Sequence, residues 1–111
     1  MPRNYIGGLM GVTPLISTNF NVRYLVVAGG GAGGKGEGNL GGDGAGGGGA
    51  GGLLTDSMDI LVSTDYTVTV GAGGTAPVNT YGAVGGQGSS SVFSTVSTVG
   101  GGYGGSDGET V

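Results

Sequence analysis

Apolar positions in this chain come in short bursts separated by glycine. Val22 to Ala28, VRYLVVA, is apolar on both alternating faces apart from Arg23, which predicts a strand covered on both sides. Leu53 and Leu54 restart the apolar content after a long glycine tract. Met58, Ile60 and Val62 then alternate with Ser57, Asp59 and Leu61 up to the turn cluster Ser63–Thr64–Asp65. Beyond it Tyr66, Val68 and Val70 alternate with Asp65, Thr67 and Thr69, the pattern of a half-buried strand, and the two runs are close enough to predict a hairpin. Between Ser89 and Val99, helical spacing of Val92, Val96 and Val99 competes with strand alternation; the Ser, Thr and Val content favours a strand. No stretch reads as an amphipathic helix. The predicted fold is all-β with glycine-rich extended segments, a small sandwich-like domain without α-helix.

Residues 1–21 read as an extended N-terminal docking arm and 22–111 as the glycine-rich β domain. Pro2, Gly7, Gly8, Gly11 and Pro14 punctuate the arm too often for a helix or a signal peptide, while Tyr5, Ile6, Leu9, Met10, Leu15 and Ile16 are too apolar for a free tail. Such a segment is expected to dock, either on its own domain or on a neighbouring subunit.

The tract from Gly29 to Gly52 sets the main physical problem. Ordering backbone costs about 1–2 kcal/mol per residue, and glycine loses the most freedom, so either the tract is disordered or backbone hydrogen bonds hold it. Gly29, Gly31 and Gly34 spell GxGxxG after a strand, but the residues that follow, KGEGNLGGDGAGGGG, cannot form the helix that a dinucleotide site needs, so nucleotide binding is not expected. Collagen is excluded because every three-residue frame is broken, by Ala32, Lys35 and Ala50, by Asn39 and Ala45, or by Glu37, Leu40 and Asp43. The breaks are informative, because Ala32 and Lys35 are three apart, as are Glu37, Leu40 and Asp43. In an extended helix of three residues per turn they share edges and leave other edges bare, the geometry of packed polyglycine II helices.

With 32 glycines among 111 residues, a net charge of −4 and neither Cys nor His, the composition removes several function classes. Arg3, Arg23 and Lys35 are scattered, so no basic patch for nucleic acid is present. No thiolate, zinc-ligand set or histidine base is available, and GGDG at Gly41–Gly44 occurs once, too little for a calcium repeat; no metal or other cofactor is expected. Asp43, Asp56, Asp59, Asp65, Asp107, Glu37 and Glu109 form no evident catalytic pair, so an enzyme is not expected. No window approaches the length of a membrane span. Tyr81 and Tyr103, with Asn79 as polar neighbour, are candidate glycan contacts because exposed aromatic rings stack on sugars, although covering the glycine layer is the simpler use of the few aromatics a small core has.

The blocks YLVVAGGGAGG, GAGGLLT, DYTVTVGAGG and GSSSVFSTV followed by GGGYGG, in that order over about Val22 to Gly105, resemble the glycine-rich domain of tailed-phage virion proteins, in particular fibre and adhesin proteins. The resemblance implies polyglycine II helices and a virion structural or attachment role, with host recognition in loops at a tip. The expectation is a homo-oligomer, a trimer among the forms considered, joined to other virion proteins through the arm and contributing to host attachment through a surface glycan. The alternatives are a secreted, extracellular self-assembling filament or matrix subunit and a carbohydrate-binding module.

Overall fold

Two nine-residue strands form the longest ladder among the described residues. The computed structural model describes residues 18–36, 44–78 and 82–107, and the arm residues Tyr5, Ile6, Leu9, Met10, Leu15 and Ile16 lie outside them. Strand β1 (Asn19–Val27) pairs antiparallel with β2 (Leu53–Leu61), from Asn19 opposite Leu61 to Val27 opposite Leu53. Period-two alternation puts Phe20, Val22 and Val26 on one face with Ile60, Met58 and Leu54. Asn21 and Arg23 share the other face with Asp59 and Ser57, and Asn21 Nδ2 donates to Asp59 Oδ1 at 2.8 Å. The strand expected from Val22 thus begins three residues earlier, inside the stretch assigned to the arm. It is covered on one side only: Val26 is buried while its neighbours Leu25 and Val27 are exposed.

A second sheet of three short antiparallel strands follows, in the order β3 (Val68–Thr69), β4 (Ser91–Phe93) and β5 (Val96–Thr98). Strands β4 and β5 form a hairpin whose turn residue Ser94 takes a left-handed φ of 57°. Here the structure departs from the alternation pattern. The run Met58–Val62 does not pair with Tyr66–Val70, because β2 is already committed to β1 along nine residues and Val68–Thr69 goes to β4 instead. The chain reverses at Ser63 (φ 55°), and Tyr66 returns only far enough for its hydroxyl to accept the Leu61 N–H at 2.7 Å. The Tyr66 ring faces Phe93, which in turn meets Tyr24 at a centroid distance of 5.5 Å, joining the two sheets.

Both sheets run into glycine rods without losing register. Beyond the Val27–Leu53 pair, the N–H groups of Ala28, Gly31 and Gly34 donate to the carbonyls of Gly52, Gly49 and Gly46. The β3–β4 pairing likewise continues as Ser89 to Ala72 and Gly86 to Thr75, and the β4–β5 pairing as Gly88 to Gly101 and Gly85 to Gly104. Five extended segments result among the described residues: 28–35, 46–52, 71–76, 83–89 and 99–105. The first lies at the centre. Its residues 28, 31 and 34 donate to the second segment, residues 29, 32 and 35 to the fourth, and its carbonyls at Gly29 and Ala32 accept from Gly101 and Gly104 of the fifth. The carbonyl of Gly30 accepts from Gly74 of the third. Partners therefore change every residue and recur every third, as in an extended helix of three residues per turn. Ala32 and Lys35, spaced by three, both donate to the fourth segment; Glu37, Leu40 and Asp43 lie outside the described residues.

Sixteen such bonds, all between 2.8 and 3.0 Å, link the five segments. Side chains contribute little to the interior: among the described residues the buried apolar ones are Val26 and Ala28, joined by the buried hydroxyl residues Ser91 and Thr98. Glycine is required where rods touch. At Gly31 and Gly34, Gly48 and Gly51, Gly71 and Gly74, Gly85 and Gly88, and Gly101 and Gly104, an added Cβ would fall on a backbone carbonyl oxygen of the neighbouring rod, well inside the 3.0 Å that real Cβ atoms respect. Each pair is spaced by three. The Cα hydrogen at each position points at that oxygen, the arrangement of a Cα–H···O contact. By contrast Gly47 and Gly102 have nothing within 4 Å of the same position.

This contrast predicts two outcomes for one kind of substitution. Gly31→Ala and Gly101→Ala are expected to destabilise by about 3 kcal/mol or to prevent folding, because the obstacle is backbone that cannot move aside. Gly47→Ala and Gly102→Ala are expected to be neutral or to stabilise by about 0.4–1 kcal/mol through loss of unfolded-state freedom. Denaturant unfolding followed by circular dichroism measures both, and equal effects at the two kinds of site would contradict the packing described.

Candidate functional surfaces

The continuous register gives the molecule two ends of different character. At the sheet end, the Thr18 carbonyl accepts the Val62 N–H, so the chain enters β1 at the end farthest from the rods. At the rod end, the first, third and fifth segments finish and the second and fourth begin. The segments 37–43, 79–81 and 108–111 therefore attach to described residues of that end. Ser106 ties these residues together: it forms an antiparallel bridge with Ala45, and its hydroxyl donates to the Gly82 carbonyl at 2.6 Å. Asp107 follows Ser106 at this end, and Glu37, Asp43 and Glu109 lie outside the described residues.

Between the sheets lies a groove of about 420 Å³, lined by Tyr24–Val27, Val68–Val70 and Ser91–Phe93. Its apolar walls stand open to solvent, with Val70 83% and Leu25 62% exposed. One hydroxyl closes its base. Ser91 Oγ donates to the Val27 carbonyl at 2.7 Å and accepts the Gly71 N–H at 2.8 Å, while Thr98 Oγ1 reaches the Ser91 carbonyl at 3.4 Å. Ser91 thus joins the end of β1 to the start of the third rod and is satisfied as both donor and acceptor. Sequence reading did not single out Ser91 or Thr98. The available signal was a polar residue on the inward parity of a predicted strand, and it shows only once the partner strands are known. A second, polar recess of about 310 Å³ lies over Asn21, Arg23, Thr55, Asp56 and Ser57 on the opposite face of the long ladder.

Of the candidate glycan contacts, Tyr103 sits on the fifth rod and is 53% exposed, whereas Asn79 and Tyr81 lie outside the described residues. Asp56 Oδ1 accepts the neighbouring Ser57 N–H, and Asp59 is engaged by Asn21. Among the described residues no group of three acidic side chains comes together as a metal site, and no helix is long and apolar enough to cross a membrane. The surfaces on offer among the described residues are the apolar groove, the polar recess and the rod end at Ala45, Gly82 and Ser106.

Comparison with known proteins adds one finding. A model of the glycine-rich domain matches residues 12–111, nearly the whole chain. The chain belongs to the glycine-rich domain family. No curated protein and no solved structure matches it. The matched span takes in both sheets and all five rods.

Removing the Ser91 hydroxyl tests how the sheets are joined to the rods. Ser91→Ala leaves the Val27 carbonyl and the Gly71 N–H without their partner in a buried place, which costs about 1–3 kcal/mol. Ser90→Ala, at an exposed neighbour, is expected to change stability by less than about 0.5 kcal/mol. Thermal unfolding of the two variants side by side measures the difference.

Proposed function

We propose that this glycine-rich domain is a noncatalytic structural component of a phage particle, a tail-fibre or decoration subunit that assembles as a homo-oligomer and contributes to host attachment. The observation that carries this reading is the two-ended layout. The arm leads into the sheet end at Thr18, and the links between successive rods attach to described residues of the opposite end. Between them the rods serve as a spacer of polyglycine II type, stiff because each is held by its neighbours every third residue. A protein that fixes one end to a particle and presents the other to a host needs this arrangement, and none of it calls for a catalytic group. Localisation in the virion and contacts with other virion proteins through residues 1–21 follow from the same reading.

The exposed ring of Tyr103 supports a glycan as the host ligand, because an aromatic face open to solvent stacks on a sugar ring. Its location on a rod, and not within the segments of the rod end, means that Tyr81 and Asn79 would have to supply the remainder of such a site.

Deleting residues 1–21 tests the central claim. Since the deletion also removes the start of β1, a companion deletion of residues 1–17 removes none of the described residues. Both variants are expected to be absent from purified particles when produced in place of the full chain, with the shorter deletion retaining its unfolding transition. Normal incorporation of either variant would remove the docking role. Electron microscopy of the purified full chain separates this reading from a secreted filament subunit, for which open-ended polymers are the expected image. A glycan array on which Tyr103→Ala and Tyr81→Ala bind as the unaltered protein does would remove the sugar contact.

A further inference from the structure

We propose that the apolar groove beside β1 receives the N-terminal arm of a second copy of this chain, which adds to the open edge of β1 as an extra strand. The inference rests on the reading of residues 1–17 as a docking element and names the surface on which they dock.

Three observations support it. The first is the open edge. Among the described residues strand β1 belongs to a two-stranded sheet and has β2 as its ladder partner. The bonds from Val62 to Thr18 and from Ala28 to Gly52 fix which residues of β1 face β2: the even-numbered ones, so the backbone groups of Arg23, Leu25 and Val27 face the other edge. Of these the Val27 carbonyl is held by Ser91. An extended peptide laid along this edge gains main-chain hydrogen bonds, and its alternate side chains gain pockets.

The second is chemical match. Groove residues Leu25, Val68 and Val70 are 62, 67 and 83% exposed, a contiguous apolar surface next to an unpaired strand edge. Such an edge is a template for pairing unless something covers it. The arm offers Tyr5, Ile6, Leu9, Met10 and Val12. It also contains Arg3 and no acidic residue, whereas the rest of the chain carries all seven acids against Arg23 and Lys35, so attraction favours their approach.

The third is chain length, which selects a second copy over the chain's own arm. The arm departs from Thr18, six residues or about 20 Å before the groove begins at Tyr24. To reach its own groove it must reverse. A reversal at Gly11 leaves ten residues for the return, six of which only regain Thr18, so the strand stops near Val22; a reversal at Gly7–Gly8 stops sooner. Pro14 is near enough, but Thr13 precedes it and Leu15–Ile16 follow, with none of the Gly, Asn or Asp residues that close a tight hairpin. Continuing outward into a neighbouring molecule requires no reversal.

The absence of cysteine from the chain makes the test direct. One set of full-length variants carries a single cysteine in the arm (Ile6→Cys, Leu9→Cys, Met10→Cys or Val12→Cys), and another carries Val70→Cys or, as a control on the polar face, Asp59→Cys. Both Val70 and Asp59 are exposed, so neither variant threatens the fold. Pairs are mixed, oxidised mildly and separated on a nonreducing gel. The expected result is a mixed disulfide between one or more arm positions and Val70→Cys that the Asp59→Cys control does not form, and that an excess of a peptide of residues 1–17 suppresses. Chains carrying both cysteines provide the decisive counter-result: a crosslink confined within one chain at all dilutions assigns the groove to its own arm and overturns the proposal. Absence of any arm-to-Val70 crosslink above the control also overturns it. Because the readout is self-association of purified protein, either failure leaves the particle-incorporation test standing, and loss of incorporation with normal crosslinking would instead strike the virion reading alone.

Discussion

The structure depends on one constraint: a carbonyl oxygen of one rod occupies the space where the neighbouring rod would carry a Cβ. Twelve glycines among the described residues meet it, ten of them in five pairs three residues apart and the others Gly29 and Gly100. Everything else about the rods follows. Backbones this close can exchange N–H···O bonds with several neighbours at once, so the central segment 28–35 bonds to all four others although it has almost no side chains to pack. The same closeness leaves no room for a conventional core, and the interior consists of peptide groups with Val26 and Ala28 at its margin. Glycine usually weakens ordered structure. Here it is the only residue that allows the bonds that create order.

The sheets set the direction and register that the rods inherit. Nine pairs between β1 and β2 align the chain before the glycines begin, and the bonds at Ala28, Gly31 and Gly34 extend the same register past the last side-chain pair. The smaller sheet does the same for the third, fourth and fifth rods. A strand with period two thereby passes into a rod with period three while its partner stays the same. Ser91, bonded to both β1 and the third rod, links the two alignments.

Much of this was legible in the residues, though unevenly. The strand through Val22–Val27, the second apolar run from Leu53 and the all-β character could be read from alternation and glycine content, and Ala32 and Lys35, three residues apart in the tract, donate to one rod. The strand partners could not be read. A hairpin between the runs at Met58–Val62 and Tyr66–Val70 looks favourable because they are adjacent, but partner choice is decided by the rods, whose long excursion returns β2 to β1 and carries Ser91–Phe93 back to Val68. Glycine has no side chain with which to advertise a partner, so register encoded in main-chain hydrogen bonds leaves no pattern. Ser91 was hidden for a related reason. A serine in a run of three serines looks like surface until two backbones are found on either side of it.

The scarcity of buried side chains has a thermal consequence. Unfolding a domain normally raises the heat capacity because newly wetted apolar surface adds about 0.45 cal/K/mol per Å² while polar surface subtracts about 0.26. In this molecule the large apolar residues Leu25, Leu53, Val68 and Val70 are in water already, and what unfolding exposes is mainly peptide group. The two contributions then come close to cancelling. Stability should accordingly vary almost linearly with temperature, without the arched profile that brings ordinary domains toward cold denaturation, so that the fold is held more firmly in near-freezing water than in warm.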